Sequence, residues 1–310
     1  MNRLSAIVLC FLSLVGWLIF LLENDDLPFF KKKISQSHSD FSLNKIIPPV
    51  GWFKNQAIQE SSSLAFFPQY PEVLWTSNDS GGLAQIYPFA LDGKEPENLQ
   101  PLTLLGVQNK DWESFAYDPS QSILYIGDIG NNRNTRADLC IHSITIPRRF
   151  EGVDSLRAND SFTVYYEDQK AFPPEKLYFD CEAMLVLQRK LILITKHRGS
   201  ADATIYMLKS RESGLLQKKK TLFVCGQVTG ASQSPDEQKV AILTYRGIWV
   251  FESFDDPLLF WKGATRYRKA NILQCEAITF TDTQTLWITN EQGAIFSLKV
   301  SEIPRIENPF

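Results

Sequence analysis

Three short segments of this chain repeat one pattern at a spacing that few folds can absorb. Asp111-Trp112-Glu113-Ser114-Phe115-Ala116-Tyr117, Asp180-Cys181-Glu182-Ala183-Met184-Leu185-Val186 and Gln274-Cys275-Glu276-Ala277-Ile278-Thr279-Phe280 each carry a Glu with large apolar residues at +2 and +4, the alternation of a strand. A second apolar run follows each: residues 124–128 closing on Asp128, 192–196 closing on Lys196, and 286–290 closing on Asn290. The Glu-to-polar offsets are 15, 14 and 14. Two further copies fit once the Glu is relaxed, with Ser62 leading to Asn78 and Ala231 leading to Tyr245. The five starts at 62, 113, 182, 231 and 276 are separated by 51, 69, 49 and 45 residues. Steps of about 40–50 residues, each holding short strands, are the spacing of propeller blades. The expected fold is an all-β propeller of five blades, with a sixth left open. The long second step is assigned to a polar insertion over residues 147–160.

Composition agrees with a globular domain and removes several function classes. Of 310 residues, 44% are apolar and 22% charged, which excludes a disordered or collagen-like chain. A net charge of −3 with no basic domain argues against nucleic acid as a partner. The three histidines are too scattered for a His-based zinc site. No CxxC pair occurs, so Cys140, Cys181, Cys225 and Cys275 are expected to be free, buried thiols. Nucleophile elbows, Walker A loops and GxGxxG turns are missing from the sequence.

Ahead of the repeats lies an uncharged run of 19 residues, 4–22, preceded by Arg3 and followed by Glu23, Asn24, Asp25 and Asp26. As a helix it would be about 28 Å long, enough to cross a bilayer core. No small-residue cleavage site closes it, so residues 1–26 read as a membrane anchor with the bulk of the chain extracytoplasmic, periplasmic in a Gram-negative cell. Lys31, Lys32 and Lys33 pull against that orientation. A cleaved signal sequence and a secreted domain stay open as the alternative. Residues 27–50 read as a linker and 51–310 as the propeller domain.

Strand order then places the chemistry. In a blade the first strand lines the central tunnel and the second returns antiparallel beside it, so the start of one neighbours the end of the other. A regular ladder puts Ser62 with Asn78, Glu113 with Asp128, Glu182 with Lys196, Ala231 with Tyr245, and Glu276 with Asn290, all at one tunnel mouth. Lys196 and Glu182 should then be close neighbours. Three glutamates on one axis cannot all ionise without a counter-charge. A cation among them, raised pKa values, or compensation by Lys196 would each answer that. Hard oxygen ligands suit Ca²⁺, at a site of Ser62, Glu113, Glu182, Ala231 and Glu276 with backbone carbonyls filling in at Ser62 and Ala231. The competing reading is that the glutamates only accept hydrogen bonds from backbone amides. Asp128, Lys196 and Tyr245 are the catalytic candidates beside such a metal. Asn131, Arg133 and Arg136, after a Gly-Asn-Asn turn, are candidates for holding a small anionic ligand.

Asn78-Asp79-Ser80-Gly81-Gly82, Asp111-Trp112-Glu113, the string from Tyr125 to Arg133 and the later Glu-Ala segments resemble a group of exported bacterial β-propeller proteins with no settled function. The likeness covers most of residues 60–300. More distantly, the order Ser, Glu, Glu, small residue, Glu is similar to the calcium-activated nucleotidases (apyrases), five-bladed propellers with Ca²⁺ in the tunnel. That resemblance implies Glu113, Glu182 and Glu276 as carboxylate ligands, completed by Ser62 and a residue near Ala231 or Ser232. Outside the channel positions the chain departs from the nucleotidase pattern. Propellers of the gluconolactonase and paraoxonase type, which also hold a tunnel metal, are a further analogy. Two functions follow as expectations. One is a membrane-anchored module binding an envelope protein or glycan, with Ca²⁺ structural. The other is a metal-dependent hydrolase of a phosphoester, phosphoanhydride or lactone.

Overall fold

A computed structural model describes residues 46–310 apart from Asn271. The segment expected to be an anchor, residues 1–26, and most of the expected linker lie outside the described residues. Among the described residues no helix is long and apolar enough to cross a membrane.

The alternating segments form five sheets, each built on antiparallel neighbouring strands, the blades of a β-propeller. The first described strand, β1 (Gly51–Trp52), belongs to the last blade. Blade 1 holds β2 (Ser61–Phe66), β3 (Val73–Asn78), β4 (Gln85–Ala90) and β5 (Leu102–Leu105). Blade 2 starts with β6 (Trp112–Asp118), β7 (Ile123–Asp128) and β8 (Cys140–Thr145). The insertion that follows is ordered: β9 (Ser155–Arg157) returns to pair in parallel with β5, and β10 (Asp160–Thr163) completes blade 2. Blade 3 comprises β11 (Tyr165–Tyr166), β12 (Asp180–Leu187), β13 (Lys190–Lys196), β14 (Asp202–Leu208) and β15 (Leu215–Phe223), with β11 outermost. Lys218, Lys219 and Lys220 are exposed on the outer strand β15, where charge discourages edge pairing.

Blade 4 is β16 (Val228–Gln233), β17 (Lys239–Thr244), β18 (Gly247–Glu252) and β19 (Ala264–Lys269). Blade 5 is β20 (Cys275–Phe280), β21 (Thr285–Asn290) and β22 (Ala294–Lys299). Two crossings close the ring: β1 pairs with β22, and β23 (Arg305–Ile306) returns to β19 of blade 4. Gly93 shows how tightly β1 is seated. Its φ is +87° and a Cβ there would lie 2.1 Å from the Trp52 carbonyl oxygen, so the turn after β4 can press on β1 only as glycine. At the end of the expected linker, Ile47 is buried in the cluster between blades 4 and 5 with Leu243, Ile278 and Ile303.

The five inner strands β2, β6, β12, β16 and β20 each pack against two neighbours, and the circle closes between β20 and β2. Inner strands of neighbouring blades share no ladder, so side chains must satisfy backbone groups across the seams. Ser62 donates to the Trp112 carbonyl at 2.7 Å, and Ser114 accepts the Met184 N–H at 2.9 Å. Ser232 accepts the Phe280 N–H at 3.3 Å, and the Ser61 and Thr289 hydroxyls meet at 2.8 Å. Gln233 does more. From blade 4 it accepts the Val186 N–H of blade 3 at 3.3 Å and donates to the Tyr117 carbonyl of blade 2 at 2.9 Å. It thereby bolts the tunnel at the end away from the glutamates, beneath a shallow opening walled by Phe66, Tyr117, Pro235 and Phe280.

Apolar packing fills the seams between blades. Trp75 and Trp112 belong to the cluster between blades 1 and 2, and Cys181 and Met184 lie between blades 2 and 3. Cys181 and Cys275 are fully buried, as is Trp112 at the equivalent place, and the four described cysteines are free thiols. Gln233→Ala leaves a buried donor and acceptor short of partners. It should lower unfolding free energy by about 1–3 kcal/mol in urea titration. An unchanged midpoint at an unchanged m-value would show that Gln233 does not bridge three blades in solution.

Candidate functional site at the tunnel mouth

Every inner strand carries a β-bulge at the same place. Register slips between Ser61 and Ser63, Trp112 and Ser114, Cys181 and Ala183, Val228 and Gly230, and Cys275 and Ala277. The extra residue in each case is Ser62, Glu113, Glu182, Thr229 or Glu276. A bulge re-aims one side chain out of the regular alternation, which is how three acids leave the packing faces for the tunnel mouth. This corrects the regular-ladder expectation. Asn78, Asp128 and Asn290 pair with Ser61, Trp112 and Cys275, the residue before each bulge. In blade 4, Thr229 and not Ala231 is the counterpart of the glutamates, and Thr244, not Tyr245, closes β17. Ala231 pairs with Ile242 and lines the tunnel one step deeper.

The three glutamates converge, but in two different settings. Glu182 and Lys196 are 3.0 Å apart, meeting the expectation that they are neighbours. Lys196 donates to the Tyr245 hydroxyl at 3.3 Å, and that hydroxyl donates to Glu276 at 2.7 Å. Burial works against the lysine charge, yet Glu182 and Glu276 hold its proton and keep its pKa raised. Burial and Glu276 keep the Tyr245 phenol neutral. Glu276 itself is pushed up by burial against the pull of Lys196.

Glu113 faces another group. One oxygen each of Asp79, Asp111 and Glu113 lie within 4.8 Å of one another. Asn109 holds Asp79 in place by donating to the Asn78 and Asp79 carbonyls at 2.9 and 2.8 Å. A Cβ on Gly130 would sit 2.4 Å from both the Asp111 and Glu113 carboxylates, so glycine leaves the room in which these acids approach. Arg136 approaches this group, with its Nη1 4.0 Å from Asp111. Burial raises Asp79 to about 6, and burial outweighs Arg136 in raising Asp111 to about 6. Burial first, then Glu182 and Asp79, pushes Glu113 well up.

Of the remaining candidates, Asp128 and Arg136 are paired with each other. Asp128 accepts from Arg136 at 2.7 Å, and Arg136 also donates to the Gly130 carbonyl at 2.8 Å and to Asp138 at 3.2 Å. Asn131 is buried, gives its N–H to Asp180 at 2.7 Å and accepts the Arg136 N–H at 2.9 Å. Arg133 is exposed. The Ser62 hydroxyl is used at the blade seam. His197 stacks on Tyr178 at 3.9 Å and bonds Thr204 at 2.9 Å, and burial lowers its pKa to about 4. The pore between Ser62, Glu113, Ala231 and Glu276 has room for about one water.

Arg198 completes the mouth together with Asp79, Asp111 and Asp180, three acids that the repeat spacing does not mark as site residues. Arg198 holds the buried Asp180 at 2.6 Å and reaches Glu182 at 3.4 Å. The signal for two of them is in the chain, since Asp111-Trp112-Glu113 and Asp180-Cys181-Glu182 share an Asp two residues ahead of the bulged Glu.

No family model matches the sequence, and no curated protein matches it. Among solved structures, the PQQ-bound aldose sugar dehydrogenase of Streptomyces coelicolor is similar with a TM-score of 0.50 at 12% identity, over 82% of this chain and 97% of that one. Such a likeness bears on the propeller fold. It supports neither the nucleotidase nor the gluconolactonase and paraoxonase kinship.

Carboxylates raised from 3.8 to about 6 bind protons more tightly when folded, so stability falls as pH rises through that window and levels off above it. Melting midpoints in EGTA should therefore decline between about pH 4 and 6. Asp111→Asn should flatten the decline, and a variant with the unchanged slope would remove the acid cluster as its source.

Proposed function

We propose that this chain is a membrane-anchored, extracytoplasmic binding module whose tunnel mouth holds Ca²⁺ in a structural role. One observation carries the cation: three carboxylates with oxygens within 4.8 Å of one another, met by Arg136 only at 4.0 Å from Asp111. Oxygen ligands about 2.4 Å from a common Ca²⁺ fall within that spread. The donor set is all hard oxygen, which suits Ca²⁺ over zinc or copper. Asp79, Asp111 and Glu113 would hold the ion. Placement at the membrane rests on the uncharged run 4–22, with an envelope protein or glycan as the partner class.

Binding is favoured over hydrolysis because the groups that would do acid–base work are already engaged. Lys196 is paired and charged, Tyr245 is neutral and donates to Glu276, and Asp128 is held by Arg136. No quinone chemistry is assigned.

Ligand that binds only the folded protein raises its stability by mass action, by about 2.7 kcal/mol at a hundredfold excess over Kd. The melting midpoint should rise with Ca²⁺ more than with Mg²⁺ and return in EGTA. Asp111→Asn and Glu113→Gln should abolish the rise, and Glu276→Gln should keep it. Nucleotides, phosphoesters and lactones should not turn over with any cation. Ca²⁺-dependent turnover lost in Glu113→Gln would replace binding with hydrolysis. The absence of any cation shift would leave the acids as architecture.

A further inference from the structure

The mouth contains a second set of oxygen donors in which the cation is part of the chain. Lys196 is 3% exposed, an expensive place for an ammonium unless its charge is answered. Glu182 Oε1 answers it at 3.0 Å, the Tyr245 hydroxyl accepts from it at 3.3 Å, and the Tyr245 ring centroid lies 4.9 Å away. Tyr245 passes the connection to Glu276 Oε1 at 2.7 Å. Glu182 and Lys196 stand on blade 3, Tyr245 follows the second strand of blade 4, and Glu276 stands on blade 5, so the series spans three blades. Two buried carboxylates drawn together at an axis cannot both ionise without positive charge between them. A divalent ion is one way to supply it. A lysine that grows from the end of a neighbouring strand into the same space is another. Arg198 also reaches that Glu182 oxygen at 3.4 Å, but its closer partner is Asp180 at 2.6 Å.

We infer that Lys196 is the tunnel's resident cation, its ammonium taking the place a divalent ion would fill between Glu182 and Glu276, so that this half of the mouth is closed to metal. The Glu182 and Glu276 carboxylates and the Tyr245 hydroxyl then form a latent hard-cation site, opened by removing the charge at position 196. Nothing in this requires an ion at Asp79, Asp111 and Glu113, and the two ideas can fail separately.

The test is the number of divalent ions bound per chain, by equilibrium dialysis of the full chain against Ca²⁺ and Mn²⁺. Lys196→Met keeps length and apolar stem while deleting the ammonium. It should bind one ion more than the wild type, and Lys196→Met with Glu182→Gln should fall back to the wild-type count. Should Lys196→Met unfold in EGTA, excess Ca²⁺ is expected to restore its melting transition. A folded Lys196→Met with the wild-type count overturns the inference. So does a Lys196→Met that stays unfolded in excess Ca²⁺ while the double variant folds. A wild type that binds no ion, beside a Lys196→Met that binds one, would sustain the lysine's role and end the Ca²⁺ reading of the wild-type mouth.

Discussion

Five inner strands meet at one axis, and the pore that four of them line, past Ser62, Glu113, Ala231 and Glu276, admits about one water. Three glutamates stand there, Asp180 at the start of β12 joins them, and neighbouring loops add Asp79 and Asp111. Negative charge at that density, cut off from solvent, is the condition the rest of the mouth is built around. Lys196 and Arg198 answer it on blade 3, and Tyr245 relays it to blade 5. Arg136 answers part of it on blade 2 while tying its own loop. What remains is the Asp79, Asp111 and Glu113 group, and its carboxyls are pushed up toward protonation.

The bulge makes that convergence compatible with a packed core. A regular strand would send each glutamate into an apolar seam, where burying an unpaired carboxylate is costly. One extra residue per strand aims it at the axis and returns the following residues to the seams. Ala183 and Ala277 resume the ladder immediately after the bulge, and Met184 and Ile278 go into the clusters between blades. Serine hydroxyls and Gln233 complete the assembly by satisfying backbone groups where the inner strands have no ladder partner. Site and fold therefore depend on the same few residues at the strand starts.

Much of the fold was legible before any coordinates. The recurrence of a strand with a leading Glu and a returning strand about 15 residues on comes from a blade's fixed hairpin length. It located all five inner strands, the free and buried Cys181 and Cys275, and the Glu182–Lys196 contact. In the fourth blade it set the leading residue two positions late and the closing residue one late, because Ala231 and Tyr245 satisfy the spacing while the ladder pairs Val228 with Thr244 and leaves Thr229 as the bulge. It also took residues 147–160 for a polar insertion, although β9 inside it pairs with blade 1.

Alternation and repeat length are local properties, written along the chain by the period-two geometry of a strand, so the sequence by itself determined that this is a propeller and which acids lead its strands. Partner choice among those acids is a matter of distance between blades, and no linear spacing encodes it. Only the tertiary structure decided that Lys196 bridges Glu182 to Glu276 through Tyr245, while Glu113 is left with Asp79 and Asp111. Coulomb interactions fall off with separation in space and are strengthened by burial, and both are set by how five blades close into a ring.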